Sequence, residues 1–232
     1  MVNVDHVSKQ YGEKTALKIE QLSIPEGESF GLVGNNGAGK TTFFRALLDL
    51  IPLSEGHITI NNIDVSKSEA WKQLTGAYLD EGFLIDFLKP EEFFYFVGST
   101  RGLSPDEVDT QLEVFKPIFK NEIFGHKRFI RDLSKGNQKK VGIAAAFIGK
   151  PKLLILDEPF ANLDPSSQFQ LREIIKDLIE KESLTALISS HDLTHVTEVC
   201  QRIVILDEGN VVKDIRTEKH TLTELEAFFK AI

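Results

Sequence analysis

A glycine-rich loop that ends in lysine and threonine is the segment of this sequence best suited to chemistry. An apolar run precedes it and a helix-like run follows; its residues are Gly34, Asn35, Asn36, Gly37, Ala38, Gly39, Lys40 and Thr41. Glycines let the backbone turn tightly, so that successive N–H groups point at phosphate oxygens, and the helix adds the positive end of its dipole. We expect Lys40 to reach the β- and γ-phosphates of a nucleotide and the Thr41 hydroxyl to bind Mg²⁺, with Thr42 completing the phosphate-binding set.

Two adjacent carboxylates end a second apolar run. Asp157 and Glu158 follow residues 153–156, a run typical of a strand that is buried on both faces. Because α/β sheets bind ligands at the carboxyl ends of their strands, we expect Asp157 to hold Mg²⁺, directly or through water. Glu158 is then placed to orient and deprotonate an attacking water. A plain surface turn is the alternative for these acids, and the intact loop at 34–41 argues against it.

These two motifs together predict a Mg²⁺-dependent nucleoside triphosphatase of the P-loop type. They do not choose among its branches. A GTPase would carry an Asn/Thr-Lys-x-Asp motif that recognises guanine, and the sequence has none. A P-loop kinase stays open as an alternative, since it needs only an additional pocket for the phosphate acceptor.

Four further motifs narrow the choice. Upstream of the acidic strand, Leu133 is followed by Ser134, Lys135, Gly136 and Asn137. After that strand, Asp164 ends an Ala-Asn-Leu-Asp run and His191 follows two serines. Near the start of the chain, Tyr11 precedes Gly12. In this order and spacing, the whole chain resembles the ATP-binding-cassette (ABC) ATPases. The segment 134–137 resembles the signature loop and Asp164 the D-loop. His191 resembles the switch histidine, and Tyr11 resembles the aromatic residue that stacks on adenine.

The resemblance implies a role for each of these positions. The signature loop would bind ATP in the site of an opposing subunit, and His191 would contact the γ-phosphate or the attacking water. Asp164 has a second reading as the N-cap of the helix after it, and both roles can hold together. Because the chain has one P-loop and one signature loop, two composite sites need a homodimer or a second ABC ATPase chain.

Two departures from the family pattern fall in the predicted site. Lys135 and Asn137 stand where the family usually has glycine and glutamine in the signature loop, and Glu81 stands where it usually has the glutamine of the Q-loop. We expect activity to survive with an altered contact between subunits. Glu81 would bring an anionic oxygen ligand to Mg²⁺, so we also expect altered hydrolysis kinetics or metal dependence.

The alternation of strand-like and helix-like runs that must position these residues predicts an α/β fold. The resemblance implies a P-loop NTPase of the ABC type, with a RecA-like parallel-sheet core, an N-terminal antiparallel β subdomain and an inserted α-helical subdomain. Strand-like runs at 2–7, 16–24 and 29–33 precede the loop, and buried runs at 184–188 and 203–206 follow the acidic strand. We expect a single domain over 1–232, in which 1–83 and 151–232 form the core and 84–150 a wholly helical insertion. A short amphipathic helix at 221–232 ends it.

Composition excludes some partners and favours others. The formal net charge is −8, so we expect no binding to nucleic acid. Cys200 is the only cysteine, which rules out an intramolecular disulfide and fits a reducing cytoplasm. No apolar run approaches the ~18–20 residues of a membrane span, and the N-terminal residues have no apolar run typical of a signal peptide.

A membrane role must therefore come through a partner. The resemblance implies an integral membrane permease, most like that of the ABC-2 or exporter branch, with this chain on the cytoplasmic face of the membrane. Five phenylalanines could form part of the docking groove, and we expect at least half of them to fill the core of the helical insertion instead: Phe83, Phe87, Phe93, Phe94 and Phe96. The alternative function is a soluble ABC ATPase without a transport role.

Overall fold

One mixed β-sheet runs through the computed structural model, which describes residues 1–125 and 127–231. Its order within this part of the chain is β5-β4-β1-β2-β10-β9-β3-β8-β7-β6. The strands are β1 Val2–Tyr11, β2 Lys14–Ile24, β3 Ser29–Val33, β4 Glu55–Ile60, β5 Ile63–Asp64, β6 Thr75–Tyr78, β7 Leu153–Asp157, β8 Thr185–Ser190, β9 Arg202–Asp207 and β10 Asn210–Arg216.

The parallel half of the sheet consists of β9, β3, β8, β7 and β6. Every residue of β3, β7 and β8 is buried, as expected of parallel strands that are covered on both faces. Val33 pairs with Ser190, and Asp157 pairs with Ser189. The carboxyl ends of β3, β7 and β8 therefore meet at one edge of the sheet, which brings together the segments that follow these strands.

The antiparallel half begins with a hairpin. β1 and β2 pair along nearly their whole length, and β4 pairs with the other side of β1. The turn between Tyr11 and Lys14 has two residues, and its Gly12 has a φ of +59°. Two-residue hairpin turns favour such positive φ values. The N-terminal antiparallel β subdomain predicted from the sequence is thus confirmed.

Helices cover both faces of the sheet, and four of the eight in the described part of the chain begin at a polar side-chain cap. They are α1 Lys40–Leu47, α2 Pro90–Thr100, α3 Pro105–Leu112, α4 Lys116–Phe119, α5 Lys135–Phe147, α6 Pro165–Glu182, α7 Leu193–Val199 and α8 Thr221–Ala231. The predicted capping box of Ser104 and Glu107 starts α3, and Ser134, Asp164 and Asp192 accept hydrogen bonds from the first turns of α5, α6 and α7. Ile232, the predicted last residue of the final helix, lies outside the described residues.

The segment from α2 to α5 comes between β6 and β7, which are neighbours in the sheet. The expectation that 84–150 is wholly helical was wrong. The chain leaves α4 at Lys120, where φ is +49°, and no helix follows among the described residues until a 3₁₀ turn at Ile130–Asp132. Two consecutive residues with positive φ, Lys120 and Asn121, end the helical path there. The division of the chain at residues 83 and 150 stays a prediction.

Phenylalanines divide between core and surface in a way that the sequence did not indicate. Phe94 and Phe93 are buried, and Phe94 packs against Phe119 with ring centroids 6.0 Å apart. Three of the five candidates are instead about half exposed or more: Phe83 at 53%, Phe87 at 62% and Phe96 at 49%. The expectation that at least half would be buried was therefore wrong, because only two of the five face the interior.

Candidate active site

A cleft of about 970 Å³ opens at the edge where β3 ends. This volume is in the range of small-molecule sites. Its described lining includes all the predicted ATP-binding residues except Gly34: Tyr11, Asn35, Asn36, Gly37, Ala38, Gly39, Lys40, Thr41 and Thr42. The lining also includes Glu158, which comes from the end of β7. The sheet thus places the phosphate-binding loop and one of the paired acids around the same space.

Glycine is needed in the loop for two separate reasons. Gly37 and Gly39 have φ values of +88° and +109°, a region that residues with a side chain rarely adopt. At Gly34, a Cβ atom would lie 2.4 Å from the carbonyl oxygen of Leu206, so only glycine fits beside β9. Gly39 precedes α1 and supplies no side-chain cap. The first N–H groups of α1 therefore face the cleft as donors that suit an anion.

Lys40 is held inside the loop that it follows. It is 7% exposed, and its Nζ donates to the carbonyl oxygen of Gly34 at 2.6 Å. The same Nζ lies 3.6 Å from Oε1 of Glu158. The lysine charge is thereby fixed between the phosphate-binding loop and the carboxylate at the end of β7.

Asp157 is joined to two hydroxyl groups. Thr41 Oγ1 donates to Asp157 Oδ2 at 2.6 Å, and Ser189 Oγ donates to Asp157 Oδ1. Hydroxyl and carboxylate oxygens are the ligands that Mg²⁺ prefers, and it is usually held by one or two carboxylates together with substrate phosphates. The pairing of Thr41 with Asp157 at the phosphate-binding loop fits such an ion. Residues 1–125 and 127–231 contain no cluster of three or more His, Cys, Asp or Glu side chains suited to a metal.

Ser189 is a site residue that the sequence reasoning missed. Its side chain is fully buried, and it also accepts a hydrogen bond from the backbone N–H of Glu158 at 2.9 Å. One hydroxyl of β8 therefore orients both acids of β7. A serine in a buried strand directly beside the acidic strand was the available signal, but it depended on knowing that β7 and β8 are neighbours.

Glu158 and His191 face each other at the mouth of the cleft. Nδ1 of His191 lies 2.8 Å from Oε2 of Glu158, and the backbone N–H of His191 donates to the same oxygen at 3.3 Å. Glu158 itself has a φ of +49°. A quarter of the Glu158 side chain is exposed and more than half of the His191 side chain, so water can reach both groups.

Lys139, on α5, reaches the other side of Glu158. It is buried, and its Nζ donates to the carbonyl oxygen of Glu158 at 2.9 Å. Burial lowers the pKa of Lys139, and the carboxylates of Glu81, Glu158 and Asp157 oppose that shift. No role for this residue was evident from the sequence.

Glu81 lies next to this group of charges. Tyr78 donates its hydroxyl proton to Glu81 Oε1 at 2.7 Å. Burial and the Glu81 carboxylate together raise the pKa of the Tyr78 hydroxyl, which therefore stays protonated and keeps donating. Glu81 is thus anchored near the paired acids by a residue of β6.

The signature loop and Asp164 lie away from the cleft. None of Ser134, Lys135, Gly136, Asn137 and Asp164 is among the described residues that line it. Ser134 caps α5 by accepting from the backbone N–H of Asn137 at 3.2 Å. Gly136 packs near Asn162, because a Cβ atom at Gly136 would lie 3.1 Å from the Asn162 carbonyl oxygen. The signature loop and the D-loop are therefore neighbours on a face separate from the P-loop cleft.

Asp164 caps the start of α6, which was one of the two roles predicted for it. It accepts from the backbone N–H of Ser167 at 3.1 Å, and Lys120 Nζ donates to it at 2.7 Å. The Lys120 ammonium, followed by the Ser167 hydroxyl, holds the pKa of Asp164 well below its usual range. These contacts link α6 to the end of α4.

Tyr11 lines the cleft with one ring face covered. The residue is 53% exposed, and Lys9 Nζ lies 4.8 Å from the ring centroid. The remaining lining residues were not predicted from the sequence: Lys14, Thr15, Ala16, Asp207, Glu208 and Asn210. The acidic end of β9 was a usable signal for two of them, because β9 pairs in parallel with β3 and so ends at the same sheet edge.

Comparisons with known proteins agree with this geometry. The profile of the ABC transporter family matches residues 17–161. The chain is 36% identical over 212 residues to the uncharacterized ABC transporter ATP-binding protein YhaQ of Bacillus subtilis, covering 91% of this chain and 70% of YhaQ. It is 35% identical to the linearmycin resistance ATP-binding protein LnrL of the same organism, covering 91% of this chain and 68% of LnrL.

A solved structure has the same fold. The ATP-binding cassette MJ0796, in a dimeric post-hydrolysis state bound to ADP and Pi, superposes with a TM-score of 0.84 at 25% identity, covering 94% of this chain and 99% of MJ0796. In residues 1–125 and 127–231 we find no helix with the length and apolar character needed to cross a membrane.

Proposed function

Because this chain belongs to the ABC transporter family, in which it is an ATP-binding and ATP-hydrolysing subunit, we propose that it hydrolyses Mg-ATP in the cleft beside Lys40. We further propose that hydrolysis drives a separate membrane permease. The observation that carries the proposal is the convergence of Lys40, Thr41, Asp157 and Glu158 at one sheet edge, with the distances given above.

The phosphate groups of ATP would lie against the loop at 34–42. Its inward N–H groups and the first turn of α1 donate to phosphate oxygens, and Lys40 neutralises the β- and γ-phosphates. Mg²⁺, when bound, would offset the negative charge that develops on those phosphates. Thr41 and Asp157 have the oxygen atoms to hold it, and Glu81 is a further candidate ligand. Tyr11 would stack on adenine with the ring face that Lys9 leaves open.

Glu158 is the proposed general base. Its carboxylate would orient a water molecule and take its proton as the water oxygen attacks the γ-phosphorus and the bond to ADP breaks. His191 lies against the same carboxylate, so it would hold Glu158 or the water in place and respond to the presence of the γ-phosphate.

The signature loop would serve a second chain. Ser134 and Gly136 lie at the start of α5, where backbone N–H groups and the helix dipole suit a phosphate, yet the chain's own cleft is elsewhere. A dimer, of two copies or with a second ABC ATPase chain, would bring that loop to the partner's ATP. ATP binding would close the dimer, and loss of the γ-phosphate contacts would open it.

A groove beside the exposed phenylalanines is the proposed permease-docking surface. It has a volume of about 160 Å³, and Tyr78, Phe83, Leu84 and Phe93 are among its lining residues. The lining residue Phe83 is itself 53% exposed. Such an apolar surface suits a short helix of a membrane protein, which would place this chain on the cytoplasmic side of the membrane.

Tagged Glu158→Gln protein, incubated with ATP and Mg²⁺ and captured from detergent-solubilised native membranes, tests the proposal. We expect ATP binding with turnover at least about 100-fold slower, accumulation of dimer, and co-purification of a polytopic membrane protein. A Glu158→Gln/Phe83→Ser variant should lose that protein, whereas Glu158→Gln/Val212→Ser, altered at an exposed apolar residue of β10, should keep it.

The outcomes separate the parts of the proposal. Normal turnover by Glu158→Gln would contradict the general-base assignment. Recovery of soluble partners alone, in several detergents, would favour the alternative of an ABC ATPase without a transport role and leave the ATPase assignment intact.

A further inference from the structure

Lys139 is a buried cation whose side chain donates a hydrogen bond to the catalytic segment. It lies one turn into α5, is 6% exposed, and donates from Nζ to the carbonyl oxygen of Glu158 at 2.9 Å. Lysine side chains are rarely buried unless they are paired, because removing an ammonium group from water is costly. The burial of Lys139 therefore indicates that its surroundings compensate for the lost hydration.

The Lys139 hydrogen bond is made to the backbone of Glu158, which has an unusual conformation. Glu158 has a φ of +49°, which disfavours residues with a side chain unless the surroundings hold them there. Three contacts hold its peptide groups. Ser189 accepts from the Glu158 N–H, and the Glu158 carbonyl oxygen accepts from Lys139 at 2.9 Å and from the backbone N–H of Ala161 at 3.3 Å. Since the backbone conformation affects the direction of the side chain, these contacts help to determine where the Glu158 carboxylate points.

Three carboxylates favour the charged form of the same ammonium. The carboxylates of Glu81, Glu158 and Asp157 all interact electrostatically with Lys139. The ammonium also lies 5.9 Å from the ring centroid of Tyr78, whose hydroxyl donates to Glu81. Three carboxylates near one site would repel each other, and Lys139 is a cation that enters this group from the α5 side.

The helix that carries Lys139 is shaped to fit this cluster. A Cβ atom at Gly142, three residues further along α5, would lie 2.4 Å from Cε2 of Tyr78. Only glycine lets the Tyr78 ring lie against α5, beneath Lys139 and within reach of Glu81. Lys139, Gly142, Tyr78 and Glu81 thus form one packed unit beside Glu158.

We propose that Lys139 is a positioning residue for ATP hydrolysis. It holds the Glu158 peptide in the conformation that directs the carboxylate at water, and it supplies the positive charge that the acidic residue Glu81 requires in this site. The proposal rests on the assignment of Glu158 as the general base. It adds a defined contact between α5, the helix that begins with the signature loop, and the catalytic carboxylate.

Steady-state ATPase kinetics and ATP binding of four variants test it: Lys139→Met, Lys139→Gln, Glu81→Gln and Glu81→Gln/Lys139→Gln. Methionine keeps the length of the side chain and removes both the charge and the donor, so we expect kcat to fall about 10- to 100-fold, the effect of one hydrogen bond to or from a charged group. KM and the Kd for ATP should change by less than about threefold, because the Lys139 ammonium contacts the Glu158 carbonyl oxygen and the Tyr78 ring, which lie outside the phosphate-binding loop.

The double variant separates a charge effect from general damage. Glutamine at both positions removes one positive and one negative charge together, so Glu81→Gln/Lys139→Gln should have a higher kcat than Lys139→Gln alone. A structural defect would instead add to the effect of Glu81→Gln. Lys176→Met on α6, which loses only an exposed pair with Glu173, is the control for substitution of a lysine by methionine.

Each kinetic result supports or overturns one part of the proposal for Lys139. Wild-type kcat in Lys139→Met overturns the proposal, and losses that simply add in the double variant overturn the pairing with Glu81. Should Lys139→Met fail to fold in a thermal unfolding assay, Lys139→Gln and the double variant decide the question. Glu158→Gln is measured in parallel: if it hydrolyses ATP normally, the general-base assignment has failed, whereas an inactive Glu158→Gln with an unaffected Lys139→Met refutes the role of Lys139 alone.

Discussion

Replacement of Ser189 by alanine is the most specific test of how the acids of β7 are held. The Ser189 hydroxyl donates to Asp157 Oδ1 and accepts from the Glu158 N–H at 2.9 Å, and the residue is fully buried. Alanine removes both contacts with little change in volume. The Ser189→Ala variant therefore changes the orientation of two acids without touching either one.

The size of the effect follows from the groups involved. A hydrogen bond to a charged group contributes about 1.5–3 kcal/mol, and a buried N–H left without a partner costs about 1–3 kcal/mol. Together these costs predict a loss of about 2.5–6 kcal/mol in the free energy of unfolding. For a chain of this length, this loss corresponds to a fall in Tm of roughly 5–24 °C.

The activation free energy of hydrolysis should rise by about the contribution of one of these hydrogen bonds. If the loss of one charged hydrogen bond is felt in the transition state, kcat decreases about 10- to 100-fold, since each ~1.4 kcal/mol is a factor of ten. The Mg²⁺ concentration for half-maximal activity should also rise, because Asp157 is left with Thr41 as its hydroxyl partner. The assay is steady-state phosphate release over a Mg²⁺ titration, at a temperature below the Tm of the variant.

Ser190→Ala is the matched control. Ser190 is 2% exposed, and its hydroxyl accepts from the backbone N–H of Asp192 at 3.0 Å, whereas the Ser189 hydroxyl contacts the acids. It should lose stability without a shift in the Mg²⁺ dependence. Equal kinetics for the two variants, or a kcat for Ser189→Ala within about twofold of the wild type, would refute the idea that Ser189 orients the paired acids.

Two further substitutions test the supports of the cleft. Gly209→Ala should weaken ATP binding about tenfold or more in a calorimetric titration. Gly209 has a φ of +80°, and a Cβ atom there would lie 2.7 Å from the Ala16 carbonyl oxygen beside the phosphate-binding loop. The control variant Gly102→Ala, also at positive φ but in open space, should bind ATP normally. Asp164→Asn should lower Tm at pH 7. Lys120 depresses the folded-state pKa of Asp164 below the ordinary 3.8, so the ionised Asp164 stabilises the fold above pH 3.8 and this stabilisation is lost as the pH falls further. The Tm difference between the wild type and Asp164→Asn should therefore shrink in acid. A constant Tm difference from pH 7 to pH 3 would contradict this.

The parts of the site that depend on local sequence were predictable. Tight turns need glycine, a buried strand must be apolar, and phosphate binding needs a lysine at a fixed distance from the loop, so residues 34–41 indicate their own structure. The cap of α6 by Asp164 was likewise predicted, because an N-cap contacts residues only two or three positions along the chain.

Contacts that cross the sheet could not be predicted in the same way. Ser189 is 32 residues from Asp157 and Lys139 is 19 residues from Glu158, and both are of residue types that are common elsewhere in the chain. Their roles follow from the strand order β3-β8-β7 and from the packing of α5 beside β7. Serine and lysine at such positions become informative only after the neighbours of each strand are known.

The same reasoning explains why the acidic residue at position 81 was hard to interpret from the sequence. Taken alone, Glu81 only adds negative charge to a site that must bind a polyanion, which would weaken phosphate binding. In the fold, a tyrosine hydroxyl anchors the carboxylate and the ammonium of Lys139 approaches it across the Tyr78 ring. The effect of Glu81 on hydrolysis therefore depends on a residue of another element, 58 positions further along the chain, and only the two residues varied together can measure it.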